Sequence, residues 1–248
     1  MIAALKAEFR KLLTVRSTYI LTGLALAFVV FYAGYIEGFK LTGKELLNPH
    51  LLSQDIVGAI GSLPLVLGVI VAILLMTHEY RYNTVMYTLT SSNSRSKVLL
   101  AKILALTIFG LVFTAVVGAL SPLMSLAGIH LHGDGALLAP QAVDYGSLVW
   151  RSLFNGWAYI MIGLLLATLI RNQIGAIVSL FVIPTVEQVL GLLLKDNVVY
   201  LPFNALNAVL TAPPKGGISY FHAAVVVAVY LVIGWVIAWV LFLKRDAN

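Results

Sequence analysis

The sequence predicts an all-α polytopic membrane protein: an N-terminal amphipathic interfacial helix, then six transmembrane helices, with both termini cytoplasmic. Three observations predict it. Of 248 residues, 60% are apolar and only 10% are charged, where soluble domains carry about 25% charge. Six apolar runs reach or approach the roughly 20 residues that a helix needs to cross a hydrocarbon core. The basic residues gather on one side of those runs. A net charge of +6 raises nucleic acid as a partner, but the Lys and Arg residues stand at span ends rather than on one soluble face, so topology accounts for them. There is no cysteine, which excludes disulfides, thiolate metal sites and cysteine nucleophiles.

Residues 1–16 are amphipathic at helical spacing. Ile2, Leu5, Phe9, Leu12 and Leu13 make an apolar face, and Lys6, Arg10, Lys11 and Arg16 a basic one. Such a helix lies along the inner membrane surface. A basic start before an apolar run also resembles a signal peptide, but this basic region is long and already amphipathic, and five more spans follow.

The spans fall at about 17–36, 56–77, 103–128, 148–170, 174–194 and 223–243. An even number puts both ends on one side. Lys6, Arg10, Lys11, Arg16, Arg81, Arg95, Lys97, Lys102, Arg171, Lys244 and Arg245 all share that side, which is therefore cytoplasmic. The other side has Lys40, Lys44, Arg151, Lys195 and Lys215 beside Glu37, Glu45, Asp55, Asp134, Asp144 and Asp196. Segments 37–55 and 129–147 read as outer connectors. Segment 195–222 mixes apolar pieces with Pro202, Pro213, Pro214, Gly216 and Gly217, a pattern for short helices re-entering the outer leaflet. No internal repeat is visible, which counts against common secondary-transporter designs.

Between the second and third spans lies the only long polar, basic loop, 78–102, with Arg81, Arg95, Lys97 and Lys102 against the single acid Glu79. Asn83 is placed to cap a short helix whose Val85, Met86 and Leu89 share one face. Short and rich in Thr and Val, this helix is marginal alone in water. It is expected to dock against another protein; the competing place for its apolar face is the lipid surface. The basic residues mark topology in either case.

Few residues suggest chemistry of their own. Gly38, Gly43 and Lys44 fall at phosphate-loop spacing. However, Glu45 stands where Ser or Thr would bind magnesium, no strand precedes the motif, and it lies on the outer side. No nucleotide site is expected in this chain, and no enzymatic activity. His130, His132 and Asp134 lack the set geometry of a metal site, so none is expected. No Ser/His/Asp set, HExxH motif or paired carboxylates falls within a span.

Glu187 is the one acid well inside a span, one turn after Pro184. Burying it costs on the order of 2–3 kcal/mol, so it must face a partner, a cavity or an interface. Asn155 lies at a matching depth on the fourth span with Arg151 one turn above, and a contact of these two with Glu187 is expected. Two readings stand for it: a structural hydrogen bond between helices, or the lining of a translocation path.

Glu79-Tyr80-Arg81, Thr84, Thr88-Leu89-Thr90-Ser91, Ser94-Arg95 and Lys102 together resemble the loop of ABC-2 type ABC-transporter permeases. Leu5, Glu8, Lys11, Thr14 and Arg16 are similar to that family's amphipathic entry helix. Asn83 stands where the family commonly has glycine, and Ser92 where proline is common. The resemblance implies a coupling helix over about 83–91, including Asn83, Thr84, Val85, Met86 and Leu89, seated in a separate ATP-binding cassette subunit. Glu79, Arg81 and Arg95 would border that contact, and Glu8, Lys11 and Arg16 would form the entry-helix interface. It further implies an exporter of the cell (cytoplasmic) membrane, working with a second copy or a related permease. ATP and Mg would be held by the partner ATPase. The rival classes are an autonomous secondary transporter or channel, which would want carboxylates in several spans, and a membrane anchor or immunity protein without an energy source.

Overall fold

The computed structural model describes residues 2–41, 43–61, 63–82, 94–140, 144–211 and 218–244. Among these there is no strand, and six helices are long and apolar enough to cross a membrane. The protein is an all-α polytopic membrane protein.

Helix α1 (Ile2–Thr14) buries Leu12 on its apolar face, and Glu8 as well. Extended backbone at Val15 separates it from α2 (Arg16–Val29), which continues as a π-helical segment, Val30–Phe39, to complete the first span. Two short helices, α3 (Gly43–Leu46) and α4 (Leu51–Ile60), follow. With α5 (Leu63–Arg81), α4 makes the second span, which therefore begins before the expected residue 56. Helix α6 (Arg95–His132) is 38 residues long. It takes the last third of the expected loop into the helix at one end, and carries His130 and His132 out of the expected connector at the other. Gly133, with φ +91°, closes it in the left-handed conformation that glycine adopts without strain.

Helix α7 (Tyr145–Ile170) starts with Asp144 accepting from the Ser147 amide, and α8 (Gln173–Leu194) with Asn172 accepting from Gly175. Only Arg171 and Asn172 separate them. Next come a 3-10 turn, Lys195–Tyr200, and α9 (Pro202–Leu210), with Pro202 in the first turn where its missing N–H costs nothing. Helix α10 (Tyr220–Lys244) is the sixth span.

The second span is the centre of the bundle: 69% of its apolar window is buried, against 11% for the fifth span and 22% for the sixth. Small residues bring neighbouring backbones together. A Cβ at Gly163 would stand 2.4 Å from Val69 Cγ1, and one at Gly156 2.1 Å from Thr114 Oγ1. The closest approach lies where the π-helical segment meets α6. There a Cβ at Gly128 would be 2.0 Å from the Gly34 carbonyl oxygen and 2.9 Å from Gly38 Cα. Gly38 is thus a packing residue of the first span.

Candidate functional site

Four side chains meet at the basic end of the bundle, drawn from three helices. Glu8 and Lys11 are one turn apart on α1, so both project from the same face. Glu79 stands in the last turn of α5, and Lys102 two turns into α6. Lys102 Nζ donates to Glu8 Oε2 at 2.9 Å and to Glu79 Oε1 at 2.7 Å. Lys11 Nζ donates to Glu8 Oε1 at 2.6 Å and also to Glu79 Oε1. Each ammonium therefore bridges both carboxylates, and the ring is neutral. The Lys102 and Glu8 side chains are 1% and 2% exposed, while Lys11 reaches the surface at 31%.

Desolvating four charges is costly, and the contacts repay it only because the ring is complete. Burial lowers the Lys11 pKa, but the carboxylates of Glu79 and Glu8 outweigh that effect and hold it above the usual 10.5. Mechanically, the ring fastens α1 to both flanks of the loop between the second and third spans. Displacing either flank must pull on α1 or break buried ion pairs.

A second polar cluster lies toward the other end. Glu187, 3% exposed on α8, accepts hydrogen bonds from the Phe203 and Asn204 amides at 2.9–3.1 Å and from Asn204 Nδ2 at 2.8 Å. Its carboxylate caps the N-terminus of α9, where unpaired amides and the helix dipole both favour negative charge. Asn155 donates from Nδ2 to the Leu206 carbonyl at 2.6 Å. The Arg151 guanidinium lies 3.9 Å above the Tyr220 ring, and Arg151 lines a cavity of about 840 Å³. The expected contact of Asn155 and Arg151 with Glu187 is therefore replaced: Glu187 and Asn155 each hold α9, and Arg151 faces α10. Matching depths on two straight spans left out α9, whose N-terminus supplies nearer donors.

The sequence model of a family described as ABC-2 family transporter protein matches residues 4–187, from the entry helix through Glu187 in the fifth span. The chain belongs to the ABC-2 transporter family. It is accordingly a multi-pass membrane protein and the permease, the transport subunit, of an ABC-type transporter. Neither a curated protein nor a solved structure matches it.

Seen as an ABC-2 permease, the ring joins three residues singled out as site residues from the sequence, Glu8, Lys11 and Glu79, with Lys102, read there as a topology marker and part of the loop pattern but given no place at the site. Glu79 is 6% exposed and turned into the ring rather than outward. The available signal for Lys102 was its position: a lysine at the mouth of an apolar run is expensive unless a carboxylate meets it. Arg81 is exposed, donates to Gln173 Oε1 at 3.4 Å and lies over the Tyr82 ring. Arg95 donates to the Leu243 carbonyl at 3.2 Å, linking the start of α6 to the sixth span. Arg16 is exposed at the start of α2. Asn83, Thr84, Val85, Met86 and Leu89 lie outside the described residues. His132 Nε2 and Asp134 Oδ2 are 3.6 Å apart, and no cluster of three metal-ligating side chains occurs among the described residues.

Proposed function

We propose that this permease forms the translocation path of an exporter in the cell membrane as one of a pair, either two copies or two related chains. A separate ATP-binding cassette ATPase, holding ATP and Mg, drives it through segment 83–91. The observation that carries the reading is the buried ring of Glu8, Lys11, Glu79 and Lys102. A loop that takes up a push from another subunit needs stiff roots, and here both roots are cross-tied to the entry helix. The sequence spacing that puts Val85, Met86 and Leu89 on one face of the expected helix, flanked along the chain by Arg81 and Arg95, suits docking, the charges setting register more than affinity. In this reading, closure of the two ATPases moves the loop, and the ring passes that movement to α1 and so to the first span.

Glu187 and Asn155 act in the same reading as supports of α9, at the exit side of the path. Arg151 lines the outer cavity there.

Co-purification tests the proposal. The tagged chain, expressed with its candidate ATPase, should bring that subunit down and change its rate of ATP hydrolysis. Substrate movement into vesicles without ATP would overturn the reading in favour of an autonomous transporter.

A further inference from the structure

At the elbow between α1 and α2, on the side of the ion ring, lies a cavity of about 620 Å³, within the roughly 300–1,000 Å³ of small-molecule sites. One wall is the aliphatic face of α5, formed by Val71, Leu74 and Leu75. The cavity's polar lining is Lys11, Ser17 and Thr18 together with His78, Tyr82 and Glu79, the last already paired with Lys11 and Lys102 in the ring. An apolar wall joined to a polar lining matches an amphiphile rather than a wholly water-soluble ligand. The position favours one as well, since α1 is an interfacial helix and the cavity lies where it turns into the first span.

Charge selects the kind of amphiphile. Over residues 2–18 the only acid is Glu8, and it is buried. The carboxylates of Glu8 and Glu79 are shared between Lys11 and the fully enclosed Lys102, so the ring leaves no negative charge uncompensated. Lys6, Arg10 and Arg16 are exposed beside it. The field at the elbow is therefore positive, and it draws anionic headgroups.

We propose that this cavity binds one anionic phospholipid of the inner leaflet, its headgroup near Lys11, Ser17 and Thr18 and an acyl chain along Val71, Leu74 and Leu75. A lipid held there wedges the elbow and fixes the angle between the entry helix and the first span.

Native mass spectrometry of the delipidated chain, incubated with dioleoylphosphatidylglycerol or dioleoylphosphatidylcholine, tests this without any ATPase, so its outcome is independent of the proposed coupling. One phosphatidylglycerol should be retained per chain, about tenfold more tightly than phosphatidylcholine, a difference of about 1.4 kcal/mol. Thr18→Trp, which fills the cavity, and Ser17→Glu, which puts negative charge in its polar lining, should each abolish that preference. Equal retention of the two lipids, or an undiminished preference in both variants, overturns the proposal. Should a variant lose its fold, the comparison of the two lipids on the unaltered chain decides. If the variants keep phosphatidylglycerol but stop transport in the presence of the ATPase, the cavity belongs to the cargo and the lipid assignment falls.

Discussion

Lys102 Nζ sits 2.9 Å from Glu8 Oε2 although 94 residues separate them, and both side chains are almost wholly enclosed. This pair and its neighbours Lys11 and Glu79 form a closed ring, so no member can be lost without leaving a buried charge short of a partner. Lys102→Met should destabilise the protein by about 3–5 kcal/mol, read as denaturant unfolding in mixed micelles. The double variant Lys102→Met with Glu79→Gln should cost clearly less than the two single losses combined, because it removes an acid with its base. Additive losses would show that the ring is not one unit.

The Lys11 contribution has a defined pH window. Its folded-state pKa lies above the unfolded value, so the stabilisation it gives is fully present below pH 10.5 and is lost as pH rises through the raised value. The stability difference between the wild type and Lys11→Met should stay constant from about pH 7 to 9 and shrink only in strong alkali. A difference that fades between pH 7 and 9 would contradict this assignment.

Glu187 should behave as a helix cap. Glu187→Leu leaves the Phe203 and Asn204 amides without their acceptor and should cost at least the 1–2 kcal/mol of a lost cap. Glu187→Gln keeps one acceptor oxygen and should cost less. Because the chain has no cysteine, Asn207→Cys in α9 is a clean reporter. An impermeant thiol reagent added outside should label it faster in the Leu variant than in the Gln variant, and equal rates would refute the cap.

The glycine crossing predicts opposite signs at two positions. Gly128→Ala drives a methyl into the Gly34 carbonyl and should destabilise by about 1–3 kcal/mol or prevent assembly. At Gly23 a Cβ meets nothing within 4 Å, and Gly23→Ala should stabilise by about 0.4–1 kcal/mol. Melting temperature and monodisperse yield report both.

If segment 83–91 docks on an ATPase, Leu89→Asp should abolish capture of that subunit while leaving the melting temperature within about 2 °C of wild type. Capture at wild-type levels would remove the docking argument.

Hydropathy and the distribution of Lys and Arg are read along one dimension, and the features that depend on it were legible: six spans and an amphipathic helix before them; Glu8 and Lys11 were picked out by the family resemblance. The ring needed three helices to converge, and a lysine beside an apolar run looks the same whether it faces water or a carboxylate. Glu187 was recognisable as a buried acid needing a partner. Its partners are at the start of the short helix Pro202–Leu210; a short helix was expected within 195–222, but the sequence does not encode that its N-terminus meets Glu187. The π-helical course of 30–39 was hidden for a different reason, since a shift in backbone hydrogen-bond register leaves little trace in the order of side chains.

The tight backbone crossing of Gly34 and Gly38 on Gly128 lies at the end of α6 opposite the ion ring. The third span is held at both ends, by charge to the entry helix and the second span and by bare main chain to the first, so these elements form a single stiff frame. A transport cycle that keeps this frame intact must place its rearrangement in the spans outside it, of which the fifth is the least buried.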